Sequence, residues 1–255
     1  MREVYMVLLV LLALGSGSLW GQLAPPRIGF VSDLTGGLRP VLGVAGNFLL
    51  GDSVAQSVVS AGFSGTFTFV KTNTALWIVD GGVETDFPAG PGPALFSFSG
   101  HAGFAYFVSD GSLHCWDGVQ LTTVALDAPS GQVLALAQPD ANHVWLAVRK
   151  DDGRVYVLTI DGVSGAIETS TPLTNVDGKL ALLNDREFLF ANDRGLILRR
   201  ANGIEIALPA RVRGDVSFEQ LGAGWWSVKD SSGGHYALRV GRGKEAIYQL
   251  PENTP

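Results

Sequence analysis

The sequence predicts an all-β domain made of repeated four-stranded antiparallel units, and three observations predict it. The first is composition: the 255 residues are 46% hydrophobic and 16% charged, with 33 Gly and 12 Pro. So many helix breakers argue against a helical bundle. Disorder needs low hydrophobicity and high charge, so it is excluded. The second is turn chemistry. Asp-Gly, Asn-Gly and Gly-Gly pairs separate short apolar runs, and such pairs supply the positive φ that two-residue hairpin turns require. The third is period. Gly111, Gly153, Gly195 and Gly234 stand 42, 42 and 39 residues apart. Gly81, Gly118, Gly162, Gly203 and Gly241 form a second ladder at 37, 44, 41 and 38. Two interleaved ladders of about 40 residues describe a repeated meander of hairpins.

The elements follow in order. Arg2 precedes an apolar run from Val7 to Leu14, and small residues follow at Gly15 to Ser18. Eight apolar residues are too few to span a bilayer and suit a signal-peptide core. The sequence therefore predicts a signal peptide over 1–21, cleavage after Gly21, export to the periplasm or beyond, and one domain over 22–255. No later segment has the length of a membrane span. Arg27 to Val31, a turn at Thr35-Gly36-Gly37, and Leu38 to Val44 read as the last two strands of a half unit. Five full units then occupy about 55–252. Their second to fourth strands begin with Phe67–Val70, Leu76–Val79 and Val83–Phe87, and end with Trp225–Val228, Tyr236–Val240 and Glu245–Leu250.

Residues 179–208 show why the strands differ. Phe188, Leu189 and Phe190, like Leu196, Ile197 and Leu198, are apolar at every position, which means burial on both faces. Ile204, Glu205 and Ile206 alternate, which means one wet face and an outer edge.

This pattern resembles the β-propeller superfamily in repeat length and strand order, over about 27–252. The resemblance implies a β-propeller of four-stranded antiparallel blades: five full blades plus an N-terminal half blade, in a five- or six-bladed ring. It is not that of a named family. Trp116-Asp117 lacks the Gly-His partner of WD40 repeats, and Ser109-Asp110-Gly111 lacks the later residues of an Asp box. A β-sandwich would have less regular turns, and a solenoid a shorter period. Propellers often close by completing one blade from both chain ends. Here the chain stops straight after a full unit.

Charge and motifs narrow the function. Lys plus Arg is 18 and Asp plus Glu 24, a net charge of −6, which opposes nucleic-acid binding. The acidity is concentrated in residues 22–140, where Arg27, Arg39 and Lys71 face nine carboxylates. Cys115 is the one cysteine, so no internal disulfide forms. His101, His114, His143 and His235 fall in different repeats without zinc spacing. There is no nucleophile elbow, P-loop or EF-hand. Calcium is left as a candidate ion that no motif supports, and no catalytic residue or cofactor is assigned.

One constellation remains. In a propeller, the hairpins between second and third strands emerge on one face. They carry Lys71, Asp110, Asp152, Asp193 and Asp230, although Asp is also what turn chemistry selects. Trp225, next to Trp226, is the aromatic candidate for the same ligand site. The expectation is an exported module that binds a protein or carbohydrate. The alternative is a propeller-type lyase or hydrolase whose acids converge on one face of the axis.

Overall fold

The structure is a computed structural model. It describes residues 25–251 apart from 34, 66, 128, 177, 184–185, 223 and 242–244. The expected signal peptide lies outside the described residues.

Six antiparallel sheets stand in a ring, five of four strands and one of three. Blade 1 holds β1 (Arg27–Ser32), β2 (Leu38–Val44) and β3 (Asn47–Leu50). Blade 2 holds β4 (Ser60–Phe63), β5 (Phe67–Lys71), β6 (Ala75–Asp80) and β7 (Val83–Pro88). Blade 3 holds β8 (Ala94–Ser99), β9 (Ala102–Phe107), β10 (Ser112–Trp116) and β11 (Leu121–Val124). Blade 4 holds β12 (Gln132–Ala137), β13 (His143–Arg149), β14 (Val155–Asp161) and β15 (Ile167–Leu173). Blade 5 holds β16 (Leu180–Leu183), β17 (Glu187–Asn192), β18 (Gly195–Arg199) and β19 (Glu205–Ala207). Blade 6 holds β20 (Val216–Gly222), β21 (Trp225–Asp230), β22 (His235–Arg239) and β23 (Ala246–Gln249). Within each sheet, neighbours in sequence are neighbours in space.

Alternation along the middle strands makes the ring. In β13, Val144, Leu146 and Val148 point into the core shared with blade 3. Trp145 and Ala147 point into the core shared with blade 5. Both sets are buried, because a middle strand is covered on both faces. Apolar clusters fill the interfaces of blades 1–2, 2–3, 3–4, 4–5, 5–6 and 6–1. Outer strands differ: β15 is exposed at every residue but its last.

Blade 1 departs from the sequence expectation. Arg27–Ser32 and Leu38–Val44 are not the last two strands of a unit. Each hairpin reverses direction, so counting back from β4, the first strand of blade 2, puts β3, β2 and β1 at positions four, three and two. β3, four residues after a short Ala45-Gly46 turn, adds a strand that the sequence expectation lacks. Among the described residues no strand holds the axial position of blade 1, where β20 and β4 approach each other. Among the described residues no strand is exchanged between the chain ends. Instead β1 lies on β20, and Phe48, Trp225 and Tyr248 meet edge-on or tilted, at 5.6–6.2 Å between ring centroids. A polar latch adds to this. Ser32 Oγ donates to Glu219, and Lys229 Nζ donates to the Ser32 carbonyl at 2.8 Å and to Glu219 at 3.1 Å.

Every blade repeats one path from axis to rim. Turns joining positions one to two and three to four therefore share one face, here the upper. Turns joining positions two to three share the lower.

Candidate ligand-binding groove

The lower face carries most of the residues that the sequence singles out, and it holds each in its own turn. Lys71 ends β5 and is 1% exposed. Its Nζ donates to the Thr72 and Gly90 carbonyls and lies 5.7 Å from the centre of the Phe107 ring. Burial pushes its pKa down, opposed by the Asp110 charge. Asp110 accepts from Ser112 N at 2.9 Å and Ser112 Oγ at 2.6 Å. Burial pulls its pKa up, but these bonds prevail and hold it below the usual value. Asp152 accepts from Arg154 N at 2.9 Å and from the Tyr156 hydroxyl at 3.3 Å. Asp193 makes no hydrogen bond or ion pair with another described residue. Asp230 is 9% exposed and accepts from Arg213 N, Ser232 N and Gly234 N at 2.8–3.0 Å. Burial raises its pKa, but these bonds, with that from Ser232 Oγ, hold it low. Such carboxylates have their lone pairs occupied by backbone, as Asx turns require.

Trp225 stands apart from these. It opens β21 while Asp230 closes it, so the two lie at opposite faces of the ring. Its ring is packed in the blade 6–1 interface, with the Arg239 guanidinium 5.9 Å from its centroid. Among the described residues, no three His, Cys, Asp or Glu side chains are grouped to hold a metal ion.

A groove of about 550 Å³ opens instead on the upper face, between blades 4 and 5. Pro139, Asp140, His143 and Trp145 line it at the start of β13. Thr159, Thr169 and Thr171 line it from β14 and β15, and Arg186, Phe188 and Ala201 from blade 5. The volume is within the range of small-molecule sites. Trp145 forms a largely buried wall, and the Arg186 guanidinium lies 5.8 Å from the centroid of its ring. Arg186 has a φ of 60°, one of three non-glycine residues with positive φ among those described. That left-handed conformation costs about 1–2 kcal/mol without a compensating contact.

His143 joins two carboxylates at the mouth. Its Nδ1 lies 2.8 Å from Asp140 Oδ1, and its Nε2 3.5 Å from Glu168 Oε2. The Asp140 hydrogen bond, with the charges of Asp140, Glu168 and Asp161, raises its pKa. The groove thus offers an aromatic wall, a guanidinium, a carboxylate pair around an imidazole, and three hydroxyls. Polar hydroxylated ligands with an apolar face match that set.

Two other interfaces on this face are filled. Arg200 bridges blades 5 and 6, paired with Glu187 at 2.7 Å and with Glu245. The aromatic trio fills the interface of blades 6 and 1. The sequence did not reveal the groove, because its residues come from two repeats. One signal was present: Thr169 and Thr171 occupy alternate positions of an outer strand and so share a face.

No protein-family model and no curated protein matches the sequence. Solved structures match the fold. A chain of the nidogen/laminin complex superposes with a TM-score of 0.56 at 12% identity, covering 88% of this chain and 93% of that one. The six-bladed β-propeller lectin of Aleuria aurantia gives 0.56 at 13% identity, covering 89% and 91%. A variant of it in complex with Fucalpha1-6GlcNAc gives 0.57 at 14%, covering 89% and 92%. Ring and neighbours together define the class: this chain is a six-bladed β-propeller.

Proposed function

We propose that this protein is an exported binding module that recognises a carbohydrate in the groove between blades 4 and 5. The observation that carries the reading is Arg186, held in a left-handed backbone conformation with its guanidinium over Trp145. A guanidinium over an aromatic ring in a cleft sets hydrogen-bond donors beside an apolar face, the pairing a sugar needs. The chemistry around it fits a sugar. Hydroxyls pair with Thr159, Thr169, Thr171, Asp140 and Arg186, while an apolar sugar face lies toward Trp145 and Phe188. Two fold neighbours support a binding role, since one is solved with a fucosylated disaccharide and the other is a chain of the nidogen/laminin complex. Export rests on the apolar run Val7 to Leu14.

The test is thermal unfolding and calorimetry against monosaccharides and short glycans, with α-methyl-L-fucoside and Fucalpha1-6GlcNAc as first probes. A ligand at 100 times its dissociation constant stabilises by about 2.7 kcal/mol, which raises Tm by about 5–11 °C at this size. Arg186→Ala is expected to weaken that binding at least tenfold without lowering the Tm of the free protein. Binding that survives Arg186→Ala, or a glycan panel with no effect on Tm, would overturn the reading.

A further inference from the structure

Four arginines lie on the strands and hairpin turns of blade 5, and three of them have carboxylate partners. Arg194 and Arg199 pair with Glu205, and Arg200 pairs with Glu187 and Glu245. Arg186 is the fourth. Its guanidinium lies over Trp145 and makes no hydrogen bond or ion pair with another described residue. Alternation along the chain accounts for the difference. Phe188 packs against the core of blades 4 and 5, so Glu187 points the other way, toward blade 6, where it meets Arg200. Arg186, on the same side as Phe188, lines the groove. The interface of blades 5 and 6 thus closes on a guanidinium and two carboxylates, all three side chains 14–16% exposed. At the interface of blades 4 and 5 the guanidinium is in place, and no described carboxylate meets it.

The two carboxylates at the groove mouth are engaged elsewhere. Asp140 Oδ1 accepts from Asn142 N and His143 N, both at 2.9 Å. Both of its oxygens also lie within 2.9 Å of His143 Nδ1. Glu168 sits on the other ring nitrogen, Nε2, at 3.5 Å. The imidazole therefore holds both acids at the mouth, away from Arg186. The groove wall that remains is rich in donors: the five N–H groups of Arg186 and the hydroxyls of three threonines. Thr159 stands opposite Thr169 across the pair of β14 and β15, and Thr171 follows two positions on, so the hydroxyls line one wall.

We infer that the sugar taken by this groove carries a carboxylate, as uronic and sialic acids do. The inference rests on the sugar reading above and narrows it to one ligand class. A carboxylate accepts two parallel N–H bonds from a guanidinium, which a neutral hydroxyl cannot match. A planar fork set over an aromatic ring is already ordered, so little freedom is lost when it binds. The sugar ring then lies toward Trp145 and Phe188, and its hydroxyls toward the threonines. The ligand brings to Arg186 the group that Glu187 brings to Arg200 one interface away.

The test is calorimetry of the unaltered protein with galacturonate and with N-acetylneuraminate, each run against its methyl ester, which keeps the ring and removes the charge. At least one acid is expected to bind at least tenfold more tightly than its ester, and the arm that does so identifies the source of the carboxylate. Arg186→Gln keeps donor groups without the charge or the fork, and should bring that acid down to the affinity of its ester. Acetate should not compete. If esters or neutral sugars bind as well as the acids, the carboxylate inference fails and the sugar reading stands. If no sugar binds, acidic or neutral, both fail. The inference also fails if the acid keeps its advantage in Arg186→Gln. It fails again if acetate displaces the acid at equal concentration, since the groove would then read a bare anion.

Discussion

His235 lies beside the contact that closes the ring, its Nε2 2.8 Å from Ser227 Oγ. Burial pushes its pKa down to about 4; Lys229 adds to the shift and Glu219 opposes it. The folded chain therefore keeps the imidazole neutral, while the unfolded chain takes up a proton near pH 6.5. Between those values the unfolded state binds more protons, so stability falls as pH drops from about 6.5 to about 4. The loss is roughly 3 kcal/mol at most. His235→Gln should flatten the decline in Tm over that window, and equal declines in the two proteins would refute the role. The acidic turn residues divide in a similar way. Asp230 accepts three backbone bonds while nearly buried, so Asp230→Ala should cost about 1–3 kcal/mol in urea denaturation. Asp193, exposed and without such bonds to described residues, should be replaceable by Ala within about 0.5 kcal/mol.

At the scale of elements, β1 shows how one missing side chain sets a blade. A Cβ added at Gly29 would lie 1.8 Å from the Leu221 carbonyl oxygen. Gly222 is also close-packed, with its Cβ position 2.5 Å from the Ile28 oxygen. Backbone can therefore lie on backbone where β1 meets β20, at the blade with three described strands. Gly29→Ala should cost about 2–4 kcal/mol through overpacking against backbone that cannot move aside. Gly65→Ala, with nothing within 4 Å, is the control and should change little. A thermal scan of both variants decides the matter, and equal Tm values would show that the close approach relaxes freely.

For the whole molecule, six blades need not give six equivalent sites. The ring sets similar interfaces side by side, and three of them differ in what fills their upper ends. Arg200 and its carboxylates occupy one, the Phe48, Trp225 and Tyr248 rings another, and the groove under Arg186 stays open. Calorimetry with a recognised glycan should therefore give about one ligand per chain, lost in Arg186→Ala. A stoichiometry near the number of blades would show that the filled interfaces open on binding.

The sequence by itself determined the strands and their order in blades 2 to 6, and the repeat. Asp-Gly and Asn-Gly turns and runs such as Phe188 to Phe190 are local signals, read within one unit. It also marked the polar turns, where Asp110 and Asp230 serve their own hairpins. It did not determine how blade 1 is built, because the place of β1 depends on Gly29 meeting Leu221, 192 positions along the chain. Nor did it bring Trp145 to Arg186 or separate Trp225 from Asp230. Those relations lie between blades, or at opposite ends of one strand. Local propensity is blind to them, and only closure of the ring decides them.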